Sequence, residues 1–273
     1  MPTNSSSFVG DIPGHYDNGL GPNIFVDYAD RLANLCCDGD VTNVIELAAG
    51  AGIVSRILRD KLPVDAHLLV TDLNPPMLEV AKGKFSEGEN VEFGVANAMD
   101  LPFDDEVFDL MVCQFGVMFF PDKPASYREA ARVLKPGGRY VFNVWSAMSE
   151  NPFSNMAHDV AAQFFPDNPP GFYKVPFHYG DPEAVRADLA AGGWWDVEHK
   201  TIQISKTIAN SEAFATALVY GNPLIDEIRE RGGVDPKEVV SEMLSALDTA
   251  FGSSSMTMPL SATTFVCRKS QVS

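Results

Sequence analysis

The chain has 273 residues, of which 45% are hydrophobic and 21% charged, and its formal net charge is −17. This length suits one large domain or one core with a substantial cap, and the composition is ordinary for a soluble globular protein. The sequence has no apolar run near the roughly 20 residues of a membrane helix, and no secretory signal at its start. Because no Lys/Arg cluster offsets the acidic balance, we expect neither a nucleic-acid nor a membrane partner.

Strands and helices alternate through the first half of the chain. The predicted strands are residues 43–47, 67–73, 91–97, 108–115 and 139–145, and the predicted helices are 22–37, 53–62, 75–85 and 126–134. Residues 1–20 are predicted to be irregular. The alternation predicts right-handed βαβ units and a Rossmann-like, doubly wound, mostly parallel α/β sheet. Ligands of such sheets bind beyond the carboxyl ends of the strands.

The pattern changes after Trp145. Residues 146–180 are rich in Phe, Pro and Asn and hold no long periodic run. The further predictions are a helix over 181–194 with Asp181 as its N-cap, a strand over 197–204, two helices within 211–250, and a last strand over 262–268. We expect the last strand to be antiparallel and the helical and aromatic segments to form a cap.

The loop after the first strand, from Glu46 to Gly52, consists mainly of Ala and Gly. Small residues let the backbone pass close to a ligand, and the next helix directs free N–H groups and its positive dipole end at an anion such as a carboxylate. A Gly-rich turn of this kind also occurs for purely steric reasons. The loop alone therefore does not establish a cofactor site.

Polar residues end the second and third strands. Asp72 follows Gly50 by 22 positions and is placed to accept hydrogen bonds from two ribose hydroxyls, although it could instead cap the helix that begins near Pro75. Asn97 carries both donors and acceptors for an adenine edge, although it could form a plain Asx turn. The main chain of Ala98 and the side chain of Met99 would border the ring.

Four runs carry a family resemblance, and their order and spacing are more specific than any one of them: VIELAAGAG, VTDLNPPMLEVAK, VEFGVANAMDLPFDDEVFDLMVCQFGVMFFPD and REAARVLKPGGRYVFNVW. Over residues 40–145 the chain resembles class I methyltransferases of the ubiquinone/menaquinone-biosynthesis branch. The resemblance implies S-adenosylmethionine as cofactor and S-adenosylhomocysteine as product. It implies one domain over 1–273, with an N-terminal lid and helix (1–37), a cofactor-binding core (40–145) and cap insertions (146–180 and 205–255).

The resemblance also implies roles for individual residues. The loop from Glu46 to Gly52 would cradle the methionine part, Asp72 would hold the ribose, and Leu73 would pack on the adenine. Asn97 and Ala98 would read the adenine edge, and Gln114 and Phe115 would lie near the transferable methyl. The whole predicted cofactor set is Glu46, Ala48, Ala49, Gly50, Gly52, Asp72, Leu73, Met77, Asn97, Ala98, Met99, Gln114 and Phe115.

Two residues depart from the family pattern. Family members usually have glycine where this chain has Ala48, and often aspartate where it has Asn97. Alanine still allows a tight loop if its φ angle stays negative. Asparagine keeps an acceptor for the adenine amino group but loses the charge. We expect cofactor binding to survive both departures.

The acceptor side carries weaker signals. Methyl transfer from a sulfonium requires alignment and exclusion of water, and a base only when the acceptor arrives protonated. The candidates for contact with the acceptor are His15 and Tyr16 in the N-terminal segment and His178 in the aromatic-rich segment. A lone loop histidine is more often a surface residue. The aromatic segment suits the wall of an acceptor site or a small accessory core equally well.

Two other functions compete with a small-molecule methyltransferase. An NAD(P)-dependent oxidoreductase is one, since the stretch from Gly50 to Ser55 comes within one residue of the dinucleotide fingerprint, but no Tyr-x-x-x-Lys pair accompanies it. A non-catalytic S-adenosylmethionine-binding protein is the other. The four cysteines show no zinc spacing, so we expect no metal and reduced thiols in a cytoplasmic protein. A homodimer is left open.

Overall fold

A computed structural model describes residues 5–37, 41–253 and 256–271. The predicted boundaries at residues 1, 40, 255 and 273 lie outside these described residues. Within them, seven strands form one sheet in the order β3-β2-β1-β4-β5-β7-β6. The strands are β1 (Asn43–Glu46), β2 (His67–Asp72), β3 (Val91–Val95), β4 (Phe108–Gln114), β5 (Leu134–Trp145), β6 (Asp196–Thr207) and β7 (Thr257–Arg268).

The first five strands pair in parallel, and β7 pairs antiparallel with both β5 and β6. The predicted Rossmann-like sheet with a last antiparallel strand is confirmed. The helices are α1 (Ile12–His15), α2 (Val26–Cys36), α3 (Ile53–Lys61), α4 (Pro75–Lys82), α5 (Lys123–Val133), α6 (Pro152–Phe164), α7 (Lys174–Phe177), α8 (Pro182–Ala191), α9 (Ser211–Tyr220), α10 (Leu224–Arg231) and α11 (Pro236–Phe251). In the described part of the chain, no helix has the length and apolar character needed to cross a membrane.

The N-terminal segment is more regular than predicted. Residues 1–20 were expected to be irregular, but α1 leads into a π-helix over Tyr16–Phe25 that continues directly into α2. The wider π turn accommodates Pro22, which has no N–H for a regular helical bond. Leu20, Ile24 and Phe25 are buried, so tertiary packing holds together a helix whose Gly and Pro content favours a loop.

The cap also differs from the prediction. Helix α6 occupies part of the segment in which no long element was expected, and its buried residues include Phe153, Ala157 and Val160 at helical spacing. The helical spacing of these apolar residues is present in the sequence. The Pro and Asn residues on either side favoured an irregular segment instead. Three helices, α9 to α11, replace the two predicted, because α9 ends just before Gly221 and α10 ends just before Gly232. Strand β5 begins at Leu134 rather than at the predicted residue 139, with a register shift opposite β4.

Candidate active site

A cavity of about 340 Å³ lies beyond the carboxyl ends of the parallel strands, between the sheet, the N-terminal segment and the cap. One end is lined by the loops after β1, β2 and β3, with residues Ala48, Gly50, Asp72, Leu73, Asn74, Met77, Asn97, Ala98 and Met99. The other end, which we call the apolar chamber, is lined by Leu20, Ile24, Phe25, Met118, Phe119, Phe120, Trp145, Phe153, Phe172, Tyr173, Pro176, Phe177, Leu218 and Asn222. Gln114 and Phe115 also line the cavity.

The loop after β1 has a left-handed backbone at three positions. Gly50 and Gly52 have φ of 56° and 76°, and Ala48 has φ of 50°. The condition of a negative φ at Ala48 is therefore not met, and the loop is tight nevertheless. A methyl group at such an angle costs about 1 kcal/mol, and the surrounding packing must hold it there. Gly116 leaves the necessary room, because a Cβ atom on Gly116 would lie 2.5 Å from the Cβ of Ala48.

Asp72 lies at the end of β2 with its carboxylate largely buried. One oxygen, Oδ2, accepts a hydrogen bond of 2.8 Å from the N–H of Gly50, and Oδ1 accepts one of 2.7 Å from the N–H of Asn74. Burial raises the pKa of Asp72, and these hydrogen bonds oppose the rise. The N-cap position of α4 belongs to Asn74, so the alternative interpretation of Asp72 as the cap does not hold. Asp72 lines the cavity as a largely buried hydrogen-bond acceptor.

Three residues of the predicted cofactor set, Glu46, Ala49 and Gly52, do not line the cavity among the described residues. Glu46 is 1% exposed and accepts a hydrogen bond of 2.5 Å from Ser55 Oγ. Ala49 donates its N–H to the carbonyl of Thr71, and Gly52 packs so closely on α4 that an added Cβ would lie 2.7 Å from the Cβ of Ala81. These three residues contact the sheet and the neighbouring helices on the side of the loop that faces away from the cavity.

The buried carboxyl of Glu46 makes the stability of the protein depend on pH. Burial raises the pKa of Glu46 from 4.5 to about 8. The folded protein therefore keeps a proton that the unfolded chain has lost, and the resulting stabilisation is complete below about pH 4.5 and is lost as the pH rises through about 8. Glu46→Gln removes this titration. The quantity to compare is the difference in free energy of unfolding, wild type minus Glu46→Gln. We expect this difference to fall by roughly 1 kcal/mol per pH unit between pH 5 and 8.

Urea unfolding of both proteins at four pH values in this range measures that difference. The exposed residue Glu87 provides a matched control, since Glu87→Gln changes the same groups at the surface. A difference for Glu46→Gln that stays constant with pH would contradict the expectation.

The residues expected at the adenine lie together at the polar end of the cavity. Leu73 is 53% exposed, which leaves its side chain free to cover a ring. Asn97 Oδ1 accepts a hydrogen bond of 3.1 Å from the N–H of Met99, so Asn97 forms the Asx turn that was the alternative interpretation. Asn97 nevertheless lines the cavity with Ala98 and Met77. The Asx turn at Asn97 is therefore compatible with a place for Asn97 in the cavity lining.

Phe115 lies where the polar end meets the apolar chamber. Its φ is 52°, and its ring stacks on Trp145 with centroids 4.0 Å apart. Its N–H donates to both the backbone oxygen and Oδ1 of Asn143, each at 3.1 Å. Asn143 was not predicted, although a lone Asn in the apolar run of β5 was a readable signal for a buried hydrogen-bonding role. Gln114 Nε2 donates to the carbonyl of Phe25 at 3.3 Å.

Of the three predicted acceptor-side candidates, Tyr16 lines the cavity. His15 lies in a separate surface depression, with its ring 5.4 Å from that of Tyr220. His178 is exposed, and its Nδ1 contacts the carbonyl of Val175. Burial raises the pKa of Tyr16, so its hydroxyl stays protonated near neutral pH. Neither histidine is in place as a general base. Phe8, Asn74 and Asn222 line the cavity and were not predicted.

The polar end of the cavity fits the cofactor that the sequence resemblance implies. Asp72 offers two carboxylate oxygens to vicinal hydroxyls, and Leu73 and Met77 offer an apolar surface to a flat ring. The cradle at Gly50 depends on its lacking a side chain, because a Cβ there would lie 3.3 Å from the Cε of Met77 and 3.9 Å from Tyr16. The ring of Tyr16 beside this cradle suits a sulfonium cation, which aromatic faces attract.

Comparison with known proteins agrees with this geometry. Residues 45–142 match the model of the methyltransferase domain family. The ubiquinone/menaquinone biosynthesis C-methyltransferase of Hahella chejuensis is 34% identical over 121 residues, which cover 43% of this chain and 48% of that protein. The demethylmenaquinone methyltransferase of Thermotoga maritima is 39% identical over 113 residues, which cover 41% of this chain and 47% of that protein. The chain thus spans about half the length of these curated relatives.

A solved structure extends the likeness to most of the chain. Phosphoethanolamine N-methyltransferase 2 of Haemonchus contortus, in complex with S-adenosyl-L-methionine, superposes with a TM-score of 0.60 at 15% identity. The superposition covers 95% of this chain and 57% of that one. The sheet order and the strand-end loops define a Rossmann-like methyltransferase fold. The match over residues 45–142 and the sequence relatives together support a class I methyltransferase of the ubiquinone/menaquinone type.

Proposed function

We propose that this protein transfers a methyl group from S-adenosylmethionine to a small, apolar or aromatic acceptor by in-line displacement. The observation that carries the proposal is one continuous cavity with a polar end, lined by the loops after β1, β2 and β3, and an apolar chamber. S-adenosylmethionine supplies an electrophilic methyl on a sulfonium. Asp72, Leu73, Asn97 and the loop around Gly50 would hold it. The apolar chamber next to the polar end favours an enzyme over a binding protein, and the methyltransferase domain match over residues 45–142 counts against the oxidoreductase alternative.

The chamber favours an uncharged acceptor. Two of its polar side chains are already engaged: Tyr173 OH donates to the carbonyl of Leu218 at 2.7 Å, and Asn222 Nδ2 donates to the same carbonyl at 3.0 Å. Among the described residues that line the chamber, none is Lys, Arg or His. A buried anion without a partner is costly, so a carboxylated or phosphorylated acceptor would bind poorly. Quinol-like compounds, which the names of the sequence relatives suggest, satisfy this requirement.

The residues around the chamber act by alignment rather than by proton transfer. The stacked rings of Phe115 and Trp145 provide a flat, rigid wall, and the cap excludes water from the reacting atoms. Since Tyr16 stays protonated, an acceptor that must lose a proton would lose it without a histidine base. The cytoplasmic location, the homodimer, and the absence of nucleic-acid and metal partners stay predictions.

Calorimetric titration with S-adenosylmethionine, S-adenosylhomocysteine and NADPH tests the cofactor. We expect micromolar affinity for the two adenosyl compounds and none for NADPH. A radiolabelled methyl donor with a panel of neutral and carboxylated hydroquinones then tests transfer. Binding of NADPH alone, or tight adenosyl binding with no transfer to any neutral acceptor, would count against the proposal.

Phe177 tests the acceptor half of the cavity. Its ring packs against Trp145 and Phe153, with centroid distances of 5.8 and 5.9 Å. Phe177→Ala removes an apolar wall worth about 1.5–3 kcal/mol of contact, so we expect the acceptor KM to rise about tenfold or more. The Kd for S-adenosylhomocysteine should stay within twofold. Steady-state kinetics and calorimetry measure the two constants.

The control for this variant is Phe85→Ala, which removes an aromatic ring that packs on Phe93 outside the cavity. Neither constant should change in the control. A Phe177→Ala variant with an unchanged acceptor KM would place the acceptor elsewhere.

A further inference from the structure

Asn74 occupies a helix N-cap position but does not cap its helix. It precedes α4 with φ of −103° and ψ of 103°, and its side chain makes no capping hydrogen bond. Asparagine is favoured at this position because its oxygen normally accepts from an N–H of the first turn. Asn210 does so at the start of α9, where its Oδ1 accepts from the N–H of Ala213 at 2.9 Å. The side chain of Asn74 therefore has another role.

That role is a bridge between the N-terminal segment and the cofactor end of the cavity. Asn74 Oδ1 accepts a hydrogen bond of 3.2 Å from the N–H of Phe8, and Nδ2 donates to the carbonyl of Ser6 at 3.1 Å. The same Nδ2 donates to Asp72 Oδ1 at 3.2 Å. One amide thus fastens the backbone at residues 6 and 8 and contacts the carboxylate at the polar end of the cavity.

The fastened segment forms part of the cavity wall. Ser6 and Phe8 both line the cavity. The Phe8 ring makes edge contacts with Tyr16 on one side and Phe119 on the other, at centroid distances of 5.8 and 6.0 Å. Phe119 belongs to the apolar chamber, so the Phe8 ring extends from the polar end of the cavity to the apolar chamber.

We propose that Asn74 is a positioning residue that fastens residues 5–8 over the cofactor and thereby controls how fast the cofactor product leaves. This inference rests on the proposed function, since it takes S-adenosylhomocysteine as the bound molecule. A molecule held by Asp72 lies behind the fastened segment, and the segment must release from Asn74 before the molecule can leave. Asn74 also donates a hydrogen bond to Asp72. Ligand binding at the Asp72 carboxylate and closure of the segment therefore both depend on the Asn74 side chain.

The test compares wild type with Asn74→Ala in two measurements. The first is hydrogen exchange of the peptide that contains the Phe8 amide, whose described acceptor is Asn74 Oδ1. The second is the dissociation rate of S-adenosylhomocysteine by stopped-flow displacement. Loss of two hydrogen bonds to the segment should accelerate both by about tenfold. In wild type, bound S-adenosylhomocysteine should slow exchange at Phe8, and this protection should be lost in the variant.

Asn210→Ala is the matched control, because it removes an asparagine side chain from another helix N-cap position and should leave both rates unchanged. Phe8→Ala is the second variant and keeps the inference testable if Asn74→Ala folds poorly. It should also accelerate dissociation, and the double variant should show less than the product of the two effects. Rates within twofold of wild type in Asn74→Ala, or in Phe8→Ala, would overturn the proposal.

Failure of this inference differs from failure of the proposed function. If wild type does not bind S-adenosylhomocysteine, the proposed function fails and control of product release fails with it. If wild type binds it and the Asn74→Ala rates match those of wild type, only the fastening role is refuted.

Discussion

Asp72→Ala should raise the Kd for S-adenosylhomocysteine by at least roughly 100-fold. The carboxylate is the buried acceptor at the polar end of the cavity, and two hydrogen bonds from ligand hydroxyls to a charged group contribute about 1.5–3 kcal/mol each. The variant also loses the bonds that hold the N–H groups of Gly50 and Asn74, so the loop after β1 loses part of its anchor. Calorimetric titration of the purified variant measures the change.

Asp109 provides the matched control. Its carboxylate also accepts several hydrogen bonds, from Thr42 and the N–H of Asn43, and it pairs with Lys135 at 2.7 Å. These contacts lie at the start of β1 and β4, at the opposite end of the strands from the cavity. Asp109→Ala should therefore lower stability and leave the Kd unchanged. Affinity in Asp72→Ala within fivefold of wild type would mean that the cofactor does not use this carboxylate.

Gly116→Ala should destabilise the protein by about 1–3 kcal/mol and weaken cofactor binding. The added Cβ would lie 2.5 Å from the Cβ of Ala48 and 2.7 Å from the Sγ of Cys113. The Cys113 side is buried in β4, so the loop that carries Ala48 is the side that can move. Because that loop lines the cavity, its displacement should reach the ligand. Urea unfolding and calorimetry report the two effects.

A second change separates the contact with Ala48 from the contact with Cys113. Ala48→Gly removes the methyl and the cost of its positive φ, so Gly116→Ala combined with Ala48→Gly should recover part of the lost stability and affinity. Gly171→Ala is the control, since no atom lies within 4 Å of a Cβ added there. If Ala48→Gly recovers nothing, the two residues do not oppose one another across the loop.

The cofactor end could be predicted from local patterns because its determinants are local. Alternating apolar segments placed the parallel strands within a few residues, and parallel strands necessarily bring their carboxyl ends to one edge. Asp72, Asn97 and the loop around Gly50 end those strands, so chain order alone put them together. The family resemblance added the chemistry expected at that edge, and residues 45–142 match the methyltransferase domain model.

Packing between distant segments decided the rest. Whether Ala48 could keep a positive φ depended on the missing side chain of Gly116, 68 positions later. Glu46 turned away from the cavity toward Ser55, and neither His15 nor His178 reached it. No local pattern encodes which way such side chains point.

The sequence by itself determined the α/β class, the mostly parallel pairing of the cofactor half and the strand ends at which its polar residues stand, because these follow from periodicity and chain order. Only the tertiary structure decided the cap, the helical form of the N-terminal segment and the bridge from Asn74 to residues 6 and 8. Those features depend on contacts between segments far apart in the chain. Such contacts stabilise the protein only when both segments are folded.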